Sequence, residues 1–474
     1  MIPYKRLVLL VCCLPLITGC WDNIEVEERG FVTGIAIDLA NNENSTQPPT
    51  SNEQSGQNEQ QPNEQQNQNQ QQSNPSEQQN QIQQQSNPNE QQDQNQQQSN
   101  PNEQQNQNET PLNRDERVLN HENDEDSELN ENNKFKLTQQ LIIPSSLGSQ
   151  QSSNTNQNST AFRNLSQTGD TIIEMNRDMI KQAGRRTNVT HLNVVLFSES
   201  VAQEEHLFAD LMDIFLREKE MLRSVKIVIT KNHASDYLNI IPENEQIPSK
   251  YLSKVLENKS NLDIAQPLTV GDVQSHLLSH RSFIIPFINK VNETTVNYDG
   301  LSVYSGSKRK IVGNLMGDDA KGVNFIQSKN QTGTINTKVD DHDVTFEILE
   351  VKSKIALKDK NKRPLQFQVT IDVEAAVAEQ YGSLDIMKEK NYKKLQKALE
   401  KEIKQISNHT VSILQTEYET DVIGLNSHLY EKYYPLWESI KDDWEKGKHY
   451  FKNSEVHITV NATIEKPGNI IKSH

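Results

Sequence analysis

The sequence predicts a multi-domain α+β protein whose C-terminal domain is a mainly antiparallel sheet packed against one long helix. Three observations carry this prediction. Gly30 to Leu39 alternates Val32, Gly34, Ala36 and Asp38 with Phe31, Ile35 and Ile37, the period-two pattern of a strand. Strand candidates cluster at 297–304, 310–315, 344–354, 364–378 and 456–464. Between the last two, Tyr392, Leu395, Leu399, Ile403, Ile406, Thr410 and Ile413 step by three and four, which predicts a helix over roughly Lys388 to Glu417. A helix with one apolar stripe and strands with apolar faces each need the other to bury those surfaces.

Taken in order, the chain begins with Lys5 and Arg6, an apolar run from Leu7 to Ile17, and small residues before Cys20. This is the pattern of a lipoprotein signal peptide over 1–19, cut between Gly19 and Cys20, with lipid attached to Cys20. The alternative is a membrane span, but eleven apolar residues cover roughly 16 Å of a hydrocarbon core about 30 Å thick. Cys12 and Cys13 leave with the signal peptide, so Cys20 is the remaining cysteine of the mature chain. No disulfide framework or thiol metal site is then expected.

After the strand at 30–39 comes a segment, 41–133, made almost wholly of Gln, Asn, Glu, Ser and Pro. Prolines 49, 62, 75, 88 and 101 recur every 13 residues, and Gln-Gln-Gln-Ser-Asn-Pro is repeated. A unit with so few apolar residues has nothing to bury, so a disordered insert is expected rather than a solenoid. It also holds 17 Asp and Glu against Arg114 and Arg117, so only −2 of the chain's −17 lies elsewhere. The acidity therefore says little about a ligand. No basic face interleaved with aromatics stands out, which argues against nucleic acid as a partner.

A strand at Lys134 to Ile143 resumes the fold, and Phe162, Leu165, Thr168, Ile172, Met175 and Met179 predict a helix from Thr160 to Ala183. Thr190 to Phe197 reads as a buried strand, Leu207 to Arg217 as a helix, and Val225 to Thr230 as a strand. Short helices are expected at Tyr251 to Glu257 and Val270 to Ser279. The expected organisation is thus an N-terminal α+β domain of 20–40 and 134–235, a small second domain or extension at 236–295, and the C-terminal domain at 296–474. An aromatic helix carrying Tyr430, Tyr433, Tyr434, Trp437 and Trp444 precedes the last strand, either as core or as a partner-binding face.

Several of these stretches resemble the C-subunit lipoproteins of spore germinant receptors, the GerC family. They are Gly19-Cys20-Trp21-Asp22 with Gly30 to Asp38, Thr190 to Val195, Asp299 to Val303 with Ile311 to Leu315, and Asp421 to Leu425 with Tyr434-Pro435-Leu436-Trp437. Two departures are the long insert at 41–133, where the family has a short connection, and Asn426, where small or apolar residues are more usual. The resemblance implies a multi-domain α+β lipoprotein at the outer face of the inner spore membrane. It also implies work with a polytopic A subunit and a permease-like B subunit in nutrient sensing, and it supplies no catalytic residues.

The residues themselves point the same way on chemistry. Asp340-Asp341-His342-Asp343 is the best metal-like cluster, yet consecutive strand residues point to opposite faces, so a solvated loop is expected. Asp318-Asp319 reads as a turn, His191 as a core histidine, and His280-Arg281 as a cap on the preceding helix. No phosphate loop, zinc-helix motif or nucleophile elbow is present, so no catalytic residue, metal ligand or cofactor is assigned. The expected function is a non-enzymatic, lipid-anchored receptor subunit. The alternatives are a solute-binding lipoprotein feeding a transporter and an exported cell-wall enzyme.

Overall fold

The computed structural model describes residues 29–40, 134–143, 161–258, 261–329, 332–381 and 388–465. The signal segment, Cys20 and the 41–133 insert lie outside the described residues.

β1 (Arg29–Leu39) pairs antiparallel with β2 (Phe135–Ile142), which pairs antiparallel with the edge strand β3 (Phe162–Gly169). On its other side β1 runs parallel to the short β4 (Arg186–Asn188) and to β5 (Val194–Ser198). Parallel β6 (Lys226–Thr230) and β7 (Phe283–Lys290) follow, then the antiparallel hairpin of β8 (Val296–Ser305) and β9 (Lys310–Met316). The result is one nine-stranded mixed sheet. Its central parallel strands are apolar on both faces because both are covered. Ile35, Ile37, Phe197 and Ile229 pack on one side with α1 (Ile172–Ala183), α3 (Leu207–Arg217) and α5 (Val270–Leu278). The short α2 (Glu199–Gln203) adds Val201 and Ala202 to that layer. Ala36, Leu196 and Val228 pack on the other side with Tyr237, Leu238 and α4 (Pro248–Glu257). β1 therefore buries both of its faces.

The predicted helix from Thr160 is a correction. Residues 162–169 form β3, and the helix starts only at Ile172, after Thr171 accepts the Glu174 amide at 3.3 Å. Phe162, Leu165 and Thr168 fit a helical step by coincidence, while pairing with β2 decides the conformation, as in the Gln140–Asn164 side-chain bond at 3.1 Å.

The C-terminal sheet is β10 (Gly333–Val339), β11 (His342–Leu357), β12 (Gln366–Gln380) and β13 (Glu455–Ile464), antiparallel except for the parallel β12–β13 pair. The predicted long helix is α7 (Glu389–Ile413), which buries Leu395, Leu399 and Ile403 against this sheet and runs on into a π turn at Leu414–Tyr418. It is crossed by α6 (Asp318–Gln327) at Gly322, where a Cβ would come within 2.0 Å of Thr410 Oγ1.

Hydrogen bonds cross the expected boundary at 296. The β8–β9 hairpin continues the nine-stranded sheet through β7, yet buries Leu301, Val303 and Leu315 in the same core as Phe346, Phe367 and Ile403. Its apolar face belongs with the C-terminal residues and its backbone with the N-terminal ones. Residues 236–295 likewise supply α4, α5 and β7 to the first sheet.

The aromatic helix is two helices, α8 (Leu425–Lys432) and α9 (Tyr434–Ile440), with Trp444 beyond them. Trp444 is 2% exposed and packs edge-on to Phe367 and Trp437, whereas Tyr430 and Tyr434 are 47% and 51% exposed. The core reading thus holds for Trp444, while Tyr430 and Tyr434 lie at the surface.

Candidate functional site

Three walls meet around a cleft of about 790 Å³. The first is α5 and the start of β7. Thr269 and Asp272 form a capping box at the helix start, with Asp272 Oδ2 accepting from the Thr269 amide at 2.9 Å and its hydroxyl at 2.6 Å. At the other end His280 takes φ +49°, the His280 amide donates to Leu277 O and the Arg281 amide to His276 O. That is a Schellman ending, so His280-Arg281 does terminate the helix, through backbone geometry. It turns Arg281 back over the Tyr430 ring, 5.3 Å from its centroid. His276 stacks on Phe283 at 4.8 Å with rings 12° apart. Burial lowers the His276 pKa, and the neighbouring Lys329 adds to the effect.

The second wall is the start of α8. Asp421 is buried and accepts from the amides of Ile423, Gly424, Leu425 and Asn426 at 2.7–3.3 Å and from the Trp444 indole at 3.1 Å. Burial pushes its carboxyl up, against the pull of these donors. The helix N-terminus is thereby satisfied from within the chain. The third wall comes from the end of α6 and from β11, with Gln327, Lys329, Ser353 and Ile355. Gln327 Nε2 donates to Val422 O, tying this wall to the second.

Glu445 joins the two bodies beside the cleft. Its Oε1 accepts from the Asp421 amide at 2.8 Å and its Oε2 from Ser282 Oγ at 2.7 Å. Ser282 Oγ in turn accepts the Gly306 amide of the β8–β9 turn at 2.9 Å. Burial pushes the Glu445 carboxyl up to about 7.

The residues singled out from sequence are elsewhere. Asp340 and Asp341, at φ +49° and +66°, form the two-residue turn between β10 and β11. Asp318 and Asp319 open α6 rather than forming a free turn, and Lys321 pairs with Asp318 at 2.9 Å. His191 is not in the core: it is exposed in the turn before β5, its ring 5.1 Å from that of Phe31. Among the described residues no three His, Cys, Asp or Glu side chains are grouped to hold a metal ion. No helix among them is long and apolar enough to cross a membrane. The cleft itself was missed. Asp421, three residues before the glycine that opens a helix, is the one available local signal; Glu445 meets partners 24 and 163 residues away and has none.

Comparison with known proteins fits this architecture. The family model for the C-terminal domain of spore germination B3/GerAC-like proteins matches residues 299–468, and that for the spore germination protein N-terminal domain matches 125–290. Similar proteins of Bacillus subtilis (strain 168) include spore germination protein YndF, 27% identical over 65% of this chain and 76% of its own. Spore germination protein B3 is 26% identical over 66% and 82%, and spore germination protein A3 is 25% identical over 70% and 87%. The crystal structure of the GerBC protein superposes with a TM-score of 0.50 at 20% identity, covering 71% of this chain and 95% of that one. The fold is therefore shared, and the family models divide the chain between 290 and 299, where the sheet does not break.

Proposed function

This chain belongs to the spore germination B3/GerAC-like family, and from that premise we propose that it is the lipid-anchored C subunit of a nutrient germinant receptor. A role in spore germination follows from the family; the anchor and the complex are the further reading. The observation that carries the anchor is the run from Lys5 to Cys20, whose apolar stretch is too short to span a bilayer. Two acyl chains on Cys20 would hold the folded bodies at the membrane, where one chain gives only marginal binding.

The partners in this reading are a polytopic A-type subunit and a permease-like B-type subunit, and the site of action is the outer face of the inner spore membrane. In this reading the subunit is non-enzymatic, because the family it matches is one of spore germination proteins and not a family of enzymes. A solute-binding lipoprotein is less well supported, because such proteins usually show two α/β lobes. Here the second body is a four-stranded sheet under one long helix.

Spores lacking this protein should lose their response to particular nutrients yet still germinate through receptor-independent triggers. Unchanged nutrient germination in a strain without redundant receptors would overturn the proposal.

A further inference from the structure

Arg281 and Lys329 both line the cleft beside His276. Neither side chain has a carboxylate within ion-pair distance among the described residues. Arg281 makes its contact with the Tyr430 ring instead. The nearest acid, Asp272, is held by Thr269 in the capping box. Of the other acids in the lining, Asp421 is held by four backbone amides and the Trp444 indole, and Glu431 acts on His428 of its own helix. His276, its pKa lowered by burial and by these cations, stays neutral near pH 7 and can still offer a hydrogen bond. Phe283, Ile355 and Ile423 supply an apolar surface in the same cleft. The volume is within the range of small-molecule sites, which combine an apolar lining with a few convergent polar groups.

From this we infer that the cleft between the two sheets binds a small organic anion. Its carboxylate or phosphate lies between Arg281 and Lys329, and its apolar part lies against Phe283 and Ile355. Arg281 suits a planar, two-point contact with such a group, and Lys329 adds a point charge. Because Arg281 and Ser282 come from the first body and Lys329 and Ser353 from the second, an occupant touches both. The inference rests on the cleft alone and is independent of the lipid anchor and of the membrane partners.

The test is titration calorimetry on the full mature chain with benzoate, phenyl phosphate and the neutral analogue benzyl alcohol. At least one anion should bind one to one, at least tenfold more tightly than benzyl alcohol, and the stronger of the two identifies the preferred headgroup. Lys329→Gln should weaken that binding three- to tenfold, and Arg281→Gln should do the same. Lys321→Gln, at a surface pair outside the cleft, should leave it unchanged. Lys329 is exposed, so its substitution keeps the test valid even if loss of the Arg281–Tyr430 contact disturbs folding. Equal binding of benzyl alcohol, unchanged affinity in Lys329→Gln, or no binding of either anion up to about 10 mM, where affinity is negligible, would overturn the inference.

Discussion

Ser282 and Glu445, 163 residues apart, meet at 2.7 Å and join the first strand-rich body to the second. The carboxyl of Glu445 has a raised pKa, about 7, so the folded protein holds its proton more tightly than the unfolded chain does. The stability this provides is fully present below pH 4.5 and is lost as pH rises through about 7. Glu445→Gln, which cannot ionise, should remove that dependence. The stability difference between wild type and variant should change by roughly 3 kcal/mol between pH 4.5 and 8. Urea unfolding at the two pH values measures it, and parallel curves for the two proteins would refute the assignment.

Gln140 is a second polar anchor, buried inside the first body. Its Nε2 donates to Leu238 O at 2.8 Å and its Oε1 accepts the Ser249 amide at 2.9 Å, so one side chain ties β2 to the segments covering the sheet. Gln140→Leu strands the Ser249 amide, while Leu238 O keeps the Asn164 side-chain amide as a donor at 2.7 Å, and should cost about 1–3 kcal/mol. A shift of less than 0.5 kcal/mol in denaturant unfolding, about the size of an ordinary surface substitution, would show that water replaces the amide.

Gly322 is required by the helix crossing, since any Cβ there meets Thr410 Oγ1 at 2.0 Å. Gly322→Ala gains helix propensity but forces α6 away from α7, and a net loss of about 1–3 kcal/mol is expected. Thermal unfolding reads this directly. A stabilised variant would mean that the two helices separate freely.

The insert joins strands that are already neighbours. The Ala40 amide donates to Lys134 O at 2.7 Å, and Leu39 sits opposite Phe135. Replacing 41–133 by a four-residue turn should therefore keep the fold and raise stability by roughly 3 kcal/mol, the closure cost of the longer loop. Circular dichroism and unfolding of the shortened chain test this, and failure to fold would assign the insert a structural role.

If Cys20 carries the proposed lipid, Cys20→Ala should release the protein from membranes or block its maturation, because no other cysteine follows the proposed cut at Gly19. Membrane fractionation decides this. Full retention with normal function would mean that protein contacts alone hold it in place.

Local pattern made much of the fold legible. The stepped apolar residues of α7 bury one stripe whatever their surroundings, and the apolar run of β5 reads as a covered strand because its side chains have nowhere else to go. The signal-peptide pattern and the empty chemistry of 41–133 are likewise properties of the local chain. Elsewhere the tertiary structure decided. β3 was misread because its three-residue spacing suits either conformation and only pairing with β2 selects the strand. His191 falls outside the core because β5 begins at Val194, four residues later than the expected start at Thr190.

The candidate site shows the same division. A Schellman ending at His280-Arg281 is a local event, and a cap was legible there. That Arg281 and Lys329 then line one cleft, and that Glu445 reaches Ser282, depends on how two sheets pack. Such contacts between residues distant in the chain leave no periodicity behind, so the sequence determined the elements and their order, while packing alone decided which charges share a cavity.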